Sequence, residues 1–251
     1  MLTEIKPRIR MFAGPNGSGK SKLKSSISTI LGKEIIGIYV NPDEIEGEAR
    51  ASGFVDLKNF SIETTKDEFK NYVLNSVLLK KNQLEKEAKK ILFNDQKLGF
   101  SGVKINSYFS SVIADFIRQK LLQKCESFSF ETVMSSEDKI EFLKKAKQLG
   151  YKTYLYFIAT KDPSINISRV KFRVSRGGHD VPEEKIISRY YRSLDLLPEA
   201  IKNSWRAYIF DNSVGDGEMH LVAETKDGEV MSEYEDAPNW WIDRKIEFFL
   251  V

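Results

Sequence analysis

Residues 8–21 read Arg-Ile-Arg-Met-Phe-Ala-Gly-Pro-Asn-Gly-Ser-Gly-Lys-Ser. The first six residues are β-prone, the next stretch is rich in glycine, and residues 20–31 have a helical composition that Gly32 is suited to end. Residues 35–40 follow as a second apolar run. Strand, helix and strand at this spacing predict a βαβ unit, and therefore a parallel sheet with a right-handed crossover.

The glycine-rich loop matches the phosphate-binding pattern G-x-x-x-x-G-K-[ST] in full. Glycines allow the backbone to curl so that several N–H groups point inward, where they cradle phosphate oxygens. Lys20 is expected to reach the β- and γ-phosphates, and the hydroxyl of Ser21 to ligate Mg²⁺. We therefore predict a site for ATP or GTP with Mg²⁺, formed by Gly14, Asn16, Gly17, Ser18, Gly19, Lys20 and Ser21.

The rest of the chain alternates between helical and strand patterns. A long amphipathic helix is predicted over residues 67–90 and another over 108–124, which together suggest a helical insertion. Strands are predicted at 127–131, 154–159 and 207–210, and helices at 136–150, from 162 and at 181–200. Residues 219–225 and 229–234 flank Lys-Asp-Gly, which predicts a β-hairpin.

These patterns predict an α/β fold, in which a parallel sheet of about five strands is flanked by helices. The expected organisation is a core over residues 1–213, with the insertion at about 50–125 and a lid at about 162–182. Residues 214–251 are expected to form a C-terminal hairpin and helix packed on that core. Trp240 and Trp241 are interpreted as packing groups of the terminal helix.

Composition narrows the class of protein. The 251 residues carry 39 basic and 36 acidic side chains, a near balance that does not favour a nucleic-acid partner. A single cysteine excludes an intramolecular disulfide, and two histidines are too few for a histidine-rich metal centre. No apolar run approaches the roughly 20 residues that cross a bilayer. We expect a cytoplasmic protein without a membrane partner.

Two carboxylates follow predicted strands. Asp43 comes just after the second strand, where a carboxylate near the γ-phosphate could accept a proton from an attacking hydroxyl. A helix N-cap explains Asp43 equally well. Glu131 ends the alternating run 127–131 and could bind a substrate hydroxyl, help hold the water shell of Mg²⁺, or pair with a core arginine.

Arg169, Arg173 and Arg176 are spaced i, i+4 and i+7, which predicts one helix face. Such arginines could neutralise charge that develops on a γ-phosphate, and Gly177-Gly178 would suit a mobile lid. A solvated basic face is the alternative. His179 follows in the same segment and is a weak candidate for contact with the substrate.

Together these residues resemble the zeta-toxin-like family of P-loop kinases. The matching segments are residues 14–21, Asn-Pro-Asp at 41–43, Phe-Glu-Thr at 130–132, the arginine and Gly-Gly-His-Asp-Val-Pro segment at 169–182, and Phe-Asp-Asn-Ser at 210–213. They occur in the family's order over residues 8–213, and the 177–182 segment resembles the Gly-Gly-His lid branch of zeta-toxin-domain ATP-binding proteins.

This resemblance implies a P-loop nucleotide-kinase-like core, and a phosphotransferase that moves the γ-phosphate of ATP or GTP to the hydroxyl of a small molecule or sugar nucleotide. It also implies an antitoxin protein as a candidate partner. By position, Asp43 resembles the general base, Lys20 the phosphate clamp, and Glu131 a substrate-binding carboxylate. Arg169 and Arg173, with Arg176 as a weaker match, resemble the lid arginines.

Competing classes fit the sequence less well. Arg-Gly-Gly-His at 176–179 is superficially like an ABC-type signature, but an apolar strand ending in Asp-Glu does not follow it. A guanine-specific switch would carry an Asn-Lys-x-Asp segment, which is absent from the sequence. A polynucleotide end kinase fits the motif but not the charge balance. The open alternative is a P-loop ATPase or nucleotide-dependent regulatory module that has no small-molecule acceptor.

Overall fold

The structure is a computed structural model that describes residues 6–178, 180–214 and 219–249. In chain order, the strands are β1 Arg8–Ala13, β2 Ile38–Val40, β3 Phe54–Asp56, β4 Leu92–Asn94, β5 Lys97–Gly99, β6 Phe128–Thr132, β7 Lys152–Ala159, β8 Arg206–Asp211, β9 His220–Lys226 and β10 Glu229–Glu233. The helices are α1 Lys20–Leu31, α2 Pro42–Ser52, α3 Lys66–Leu74, α4 Val77–Lys81, α5 Glu85–Lys90, α6 Ser107–Gln123, α7 Asp138–Gln148, α8 Pro163–Val174, α9 Glu183–Asp195, α10 Leu197–Lys202 and α11 Asn239–Phe249.

The chain forms two compact units, one of residues 1–37 and 129–251 and the other of residues 38–128. In the first unit, six strands lie in the order β10-β9-β8-β7-β1-β6. Strand β7 pairs in parallel with both β1 and β8, whereas β9 is antiparallel to β8 and to β10. The predicted α/β fold, with a mostly parallel sheet flanked by helices, is confirmed.

The C-terminal hairpin extends this sheet. Its turn contains Asp227 and Gly228, both with positive φ (52° and 91°), a combination that Asp-Gly adopts readily. Each end of the two predicted hairpin strands lies within one residue of the observed end. Trp240 and Trp241 of α11 are buried, as their interpretation as packing groups requires. The side chains of Phe248 and Phe249 lie outside the described part of the chain.

The second unit differs from its sequence prediction in two respects. The single helix predicted over 67–90 is wrong, because the segment forms the three helices α3, α4 and α5. Ser76 begins α4 by accepting a hydrogen bond from the backbone N–H of Leu79, and Gln83 has a positive φ of 56° before α5. Strands β3, β5 and β4 also form a small antiparallel sheet that the sequence analysis did not predict.

A second predicted helix is also divided. The 181–200 segment forms α9 and α10, which meet at Leu196. Pro198 lies in the first turn of α10, where its missing N–H costs little but where a continuous helix would lose a hydrogen bond. Helix α9 packs on α8 through a small core of Val170, Val181 and Ile186.

Candidate active site

Three glycines give the loop between β1 and α1 a backbone conformation that other residues rarely adopt. Gly14, Gly17 and Gly19 have φ values of 139°, 75° and 106°. A Cβ atom on Gly14 would lie 2.0 Å from the carbonyl oxygen of Ile158, and one on Gly17 would lie 2.7 Å from that of Asn166. Any side chain at either position would therefore force the loop away from the structure that surrounds it.

Lys20 and Ser21 begin helix α1 directly after this loop. The Nζ of Lys20 donates hydrogen bonds to the carbonyl oxygens of Gly14 and Pro15, each over 2.9 Å. The Oγ of Ser21 donates to the two carboxylate oxygens of Glu131, at 2.7 and 3.1 Å. Glu131 is only 6% exposed, at the end of β6. The structure thus brings together the predicted metal-binding hydroxyl and the predicted third-strand carboxylate.

Two residues that the sequence analysis did not select hold Asn16 of the loop. The Nδ2 of Asn166, a fully buried residue of α8, donates to the carbonyl oxygen of Asn16 over 2.6 Å. From α9, Nη1 of Arg189 donates to Oδ1 of Asn16 over 3.4 Å. The one available signal was helical spacing, because Asn166 lies three residues before Arg169 and so shares its helix face.

Helix α9 contacts the site at two further points. The hydroxyl of Tyr190 donates to the carbonyl oxygen of Thr160, over 2.5 Å, just beyond β7. The hydroxyl of Ser193 donates to the carbonyl oxygen of Val133, over 2.8 Å, just beyond β6. Burial raises the pKa of Tyr190, so its hydroxyl keeps its proton and remains a donor at neutral pH.

The three predicted lid arginines do not share one helix face. Arg169 and Arg173 are half-buried on α8, but the helix ends at Val174, so Arg176 lies beyond it. The guanidinium of Arg176 lies over the exposed ring of Phe172, 4.4 Å from its centroid. Gly178 packs closely on Arg173, since a Cβ there would lie 2.5 Å from the Cγ of that arginine. His179 lies outside the described residues.

Arg169 contacts the loop after β8 (residues 212–214). Its Nη2 donates to the carbonyl oxygen of Val214 over 3.4 Å. Burial lowers the pKa of Arg169, and the charge of Asp211 opposes that effect. Within the same loop, Nδ2 of Asn212 donates to the carbonyl oxygen of Ser18 over 2.7 Å, so this loop also touches the phosphate-loop backbone.

Asp43 belongs to the second unit, in the first turn of α2, where its side chain is exposed. Asn41 is the N-cap of this helix, because its Oδ1 accepts a hydrogen bond from the backbone N–H of Asp43 over 2.9 Å. The interpretation of Asp43 as the N-cap is therefore wrong. Its carboxylate lies on the surface of the unit instead.

A metal ion at this site would have few protein ligands. No group of three or more His, Cys, Asp or Glu side chains suited to a metal occurs among the described residues. The hydroxyl of Ser21 and the carboxylate of Glu131 are hard oxygen donors within hydrogen-bond distance of each other. Mg²⁺ is commonly held by one or two such groups, with phosphate oxygens and water completing its shell. The residues present fit Mg²⁺.

Comparison by sequence finds a relative for only part of this chain. No protein-family model matches the chain. An uncharacterized protein of Haemophilus influenzae is 35% identical over 63 residues, which are 25% of this chain and 45% of that protein.

In the part of the chain that the structure describes, no helix is both long and apolar enough to cross a membrane.

Among solved structures, the chain is similar to one in the complex AvrRxo1-ORF1:AvrRxo1-ORF2 with sulphate ions. The TM-score is 0.58 at 17% identity, over 96% of this chain and 63% of that one. The same complex solved with ATP gives a TM-score of 0.57 with the same identity and coverage. The chain thus spans less than two thirds of these neighbours, and the likeness at 17% identity shows a shared fold.

Proposed function

We propose that the chain is an ATP-dependent phosphotransferase that moves the γ-phosphate, with Mg²⁺, to an acceptor hydroxyl. The observation that carries this proposal is the contact of Ser21 with Glu131 at the first turn of α1, beside a loop whose glycines hold positive φ. Phosphate oxygens bind well at such a helix start, because free N–H groups and the helix dipole both favour negative charge. The structural neighbour solved with ATP supports a nucleotide as the ligand.

Each group of the first unit has a distinct role in this proposal. Lys20 would exchange the carbonyl oxygens of Gly14 and Pro15 for phosphate oxygens. Ser21 and Glu131 would hold Mg²⁺, which neutralises charge on the phosphates when it is bound. Arg173 and Arg189 would stabilise charge on the transferring group. In this proposal Glu131 holds the metal ion, which is one of the roles that the sequence analysis left open.

The chemical step forms a bond between the acceptor oxygen and the γ-phosphorus. The bond from that phosphorus to the bridging oxygen breaks, and ADP leaves. The proton of the acceptor hydroxyl passes to a base, which we propose to be the exposed carboxylate of Asp43. The resemblance to zeta-toxin-like kinases supports this assignment and a small molecule or sugar nucleotide as the acceptor.

The test incubates the purified chain with Mg²⁺, ATP labelled at the γ-phosphate, and a fractionated metabolite extract, and identifies labelled products by mass spectrometry. We expect one labelled acceptor. Asp43→Asn should retain ATP binding and lose transfer by about 10²- to 10⁴-fold. Glu44→Gln, which changes the next exposed acid of the same helix turn, should retain transfer.

Two results would contradict the proposal in different ways. Label found as free phosphate alone would favour the ATPase or regulatory alternative. Transfer at the wild-type rate by Asp43→Asn would refute the general-base role while leaving the kinase reaction intact. Lys20→Ala is expected to abolish nucleotide binding or turnover, because it removes the cation at the loop.

The sequence resemblance also supports an antitoxin as a protein partner. The structural neighbours were solved as complexes of two proteins. Co-expression of this chain with candidate small proteins, followed by purification of a stoichiometric complex, tests this part of the proposal.

A further inference from the structure

The sheet of the first unit has one face that the chain itself covers. Side chains point alternately to the two faces along a strand, so Leu155 and Phe157 of β7 lie on the same face. Both residues are fully buried, as is Ile209 of β8, which lies opposite Phe157 in the register. Trp240 of α11 packs on this face, with its ring centroid 6.4 Å from that of Phe157.

The other face of the same strands, which we call the aromatic face, is covered less completely. By register it consists of residues 8, 10 and 12 of β1, 152, 154 and 156 of β7, 206, 208 and 210 of β8, and 221, 224 and 226 of β9. Tyr154, Arg206, Tyr208 and Phe210 are half-exposed. Strands β7 and β8 are parallel, and parallel strands are normally covered on both faces. Exposed aromatic side chains at this place therefore indicate a docking surface.

Three rings of the aromatic face form a stack across the strands. The ring centroids of Phe12 and Tyr156 are 5.0 Å apart, and those of Tyr156 and Tyr208 are 5.2 Å apart, with interplanar angles of 15° and 14°. Phe12 is fully buried, whereas Tyr208 is half-exposed at the other end of the stack. Stacked rings have little conformational freedom left to lose when a partner binds, and tyrosine and arginine are enriched at the centres of protein interfaces.

Cations lie over the aromatic rings of this region. The pairs, with the distance from the cationic group to the ring centroid, are Arg10 over Tyr154 at 5.3 Å, Lys152 over Trp205 at 4.4 Å and Arg206 over Tyr208 at 5.7 Å. The register adds Arg8 and Lys226 to the same face. The opposing acids are Glu224, which pairs with Arg206, and Glu229 of β10, which lies opposite Lys226. Positive charge is thus in excess, which favours an acidic partner.

An acidic partner of this face could be a nucleic acid or a protein. A nucleic acid would stack its bases on free ring faces, but here the rings already stack on one another and on cations. A helix of a protein suits the surface better, because helices are the elements that normally cover parallel strands. The apolar side of an amphipathic helix would meet the rings, and acidic residues beside it would meet the cations.

We propose that the aromatic face binds an acidic amphipathic helix of a protein partner. The apolar residues of that helix pack on Tyr154 and Tyr208, and its carboxylates pair with Arg206 and Lys226. This binding requires neither nucleotide nor the phosphoryl transfer proposed above.

The test measures the binding of two labelled synthetic helices to the full chain by fluorescence anisotropy, without nucleotide. Both helices have about 18 residues with leucine at helical spacing; one carries glutamate and the other lysine at the remaining positions. The glutamate helix should bind about tenfold or more tightly than the lysine helix, and added salt should weaken its binding. Arg206→Glu should weaken the glutamate helix about tenfold, because it removes a cation and adds an anion.

Lys226→Glu makes the same charge change at an exposed position, so it tests the face even if Arg206→Glu is unfolded, which melting temperatures reveal. Lys144→Glu is the matched control, since it replaces an exposed cation of α7 that is likewise paired with a glutamate, Glu141, at 2.9 Å. This control should bind the glutamate helix as wild type does. Equal affinity for the two helices, or equal weakening by Lys144→Glu and Lys226→Glu, would overturn the proposal.

Two further measurements distinguish other occupants of the aromatic face. Tighter binding of an oligothymidylate of about 12 nucleotides than of the glutamate helix, lost in Lys226→Glu, would assign the face to nucleic acid instead. A dimer in sedimentation velocity that dissociates in Lys226→Glu would assign it to a second copy of the chain. Phosphoryl transfer by a chain that binds neither helix would overturn this inference and leave the proposed function standing.

Discussion

The buried amide of Asn166 connects helix α8 to the loop between β1 and α1, and its replacement by leucine should destabilise the first unit measurably. Leucine is close to asparagine in size but neither donates nor accepts a hydrogen bond. The change removes the bond from Nδ2 to the carbonyl oxygen of Asn16, and it also removes the acceptor Oδ1 for the hydroxyl of Thr160.

The two losses differ in size. The hydroxyl of Thr160 already lies 3.2 Å from the carbonyl oxygen of Asp162 and can turn toward it, so that part of the loss is small. Asn16 is half-buried, and loss of the amide leaves its carbonyl oxygen without this hydrogen bond. An unmade buried hydrogen bond costs about 1–3 kcal/mol, so we expect a total of about 2 kcal/mol. For a chain of this length that is a decrease in melting temperature of about 4–8 °C.

Differential scanning calorimetry of Asn166→Leu measures the effect directly. Ser168→Leu provides the control, because it introduces the same side chain at an exposed position of the same helix. Its melting temperature should stay within about 2 °C of wild type, as surface changes usually alter stability by less than 0.5 kcal/mol. If Asn166→Leu melts as high as this control, the amide does not connect helix and loop, and the description of the site is wrong.

Two further predictions follow from contacts in the first unit. Gly14→Ala should reduce the urea midpoint strongly, because its Cβ would lie 2.0 Å from the carbonyl oxygen of Ile158 at a φ of 139°; an unchanged midpoint would show that the loop relaxes freely. Burial of Glu233 opposes ionisation, but hydrogen bonds from Lys245 and Trp241 outweigh it and lower its pKa. A lowered pKa contributes stability that is present above the unfolded-state value and lost as pH falls through the folded-state value. Glu233→Gln should therefore be less stable at neutral pH and converge with wild type in acid; a difference that persists below the folded-state pKa would exclude the linkage.

Sequence reasoning succeeded where chemistry is local. The glycine-rich loop has a fixed sequence pattern because its glycines adopt positive φ values that other residues rarely adopt. Strand β1 and helix α1 lie before and after the loop, as the pattern predicts. Glu131 was selected because it ends a strand, and the structure places it within hydrogen-bond distance of Ser21. The roles of these residues in catalysis remain predictions.

Other features could not be read from the chain. The periodicity of 67–90 continues across breaks that only a capping side chain such as Ser76 reveals, so three helices resembled one. Asn166 and Asn212 act through tertiary contacts with loop backbone, and Arg189 through a contact with the side chain of Asn16. Apart from the helical spacing of Asn166 and Arg169, one sequence carries no signal for these contacts. Arg176 was grouped with its neighbours because regular spacing was assumed beyond the point where α8 ends.

The three bonds made by helix α9 give the loops that follow three different strands a common support. Arg189, Tyr190 and Ser193 reach the loops after β1, β7 and β6 from less than one and a half turns of helix. A rotation of α9 about its own axis by one residue, about 100°, would move all three side chains away from the loops that they contact. Replacing one of these loops with a loop from another protein would therefore affect the other two. An insert that shifts α9 would break the hydrogen bonds from the helix to all three loops.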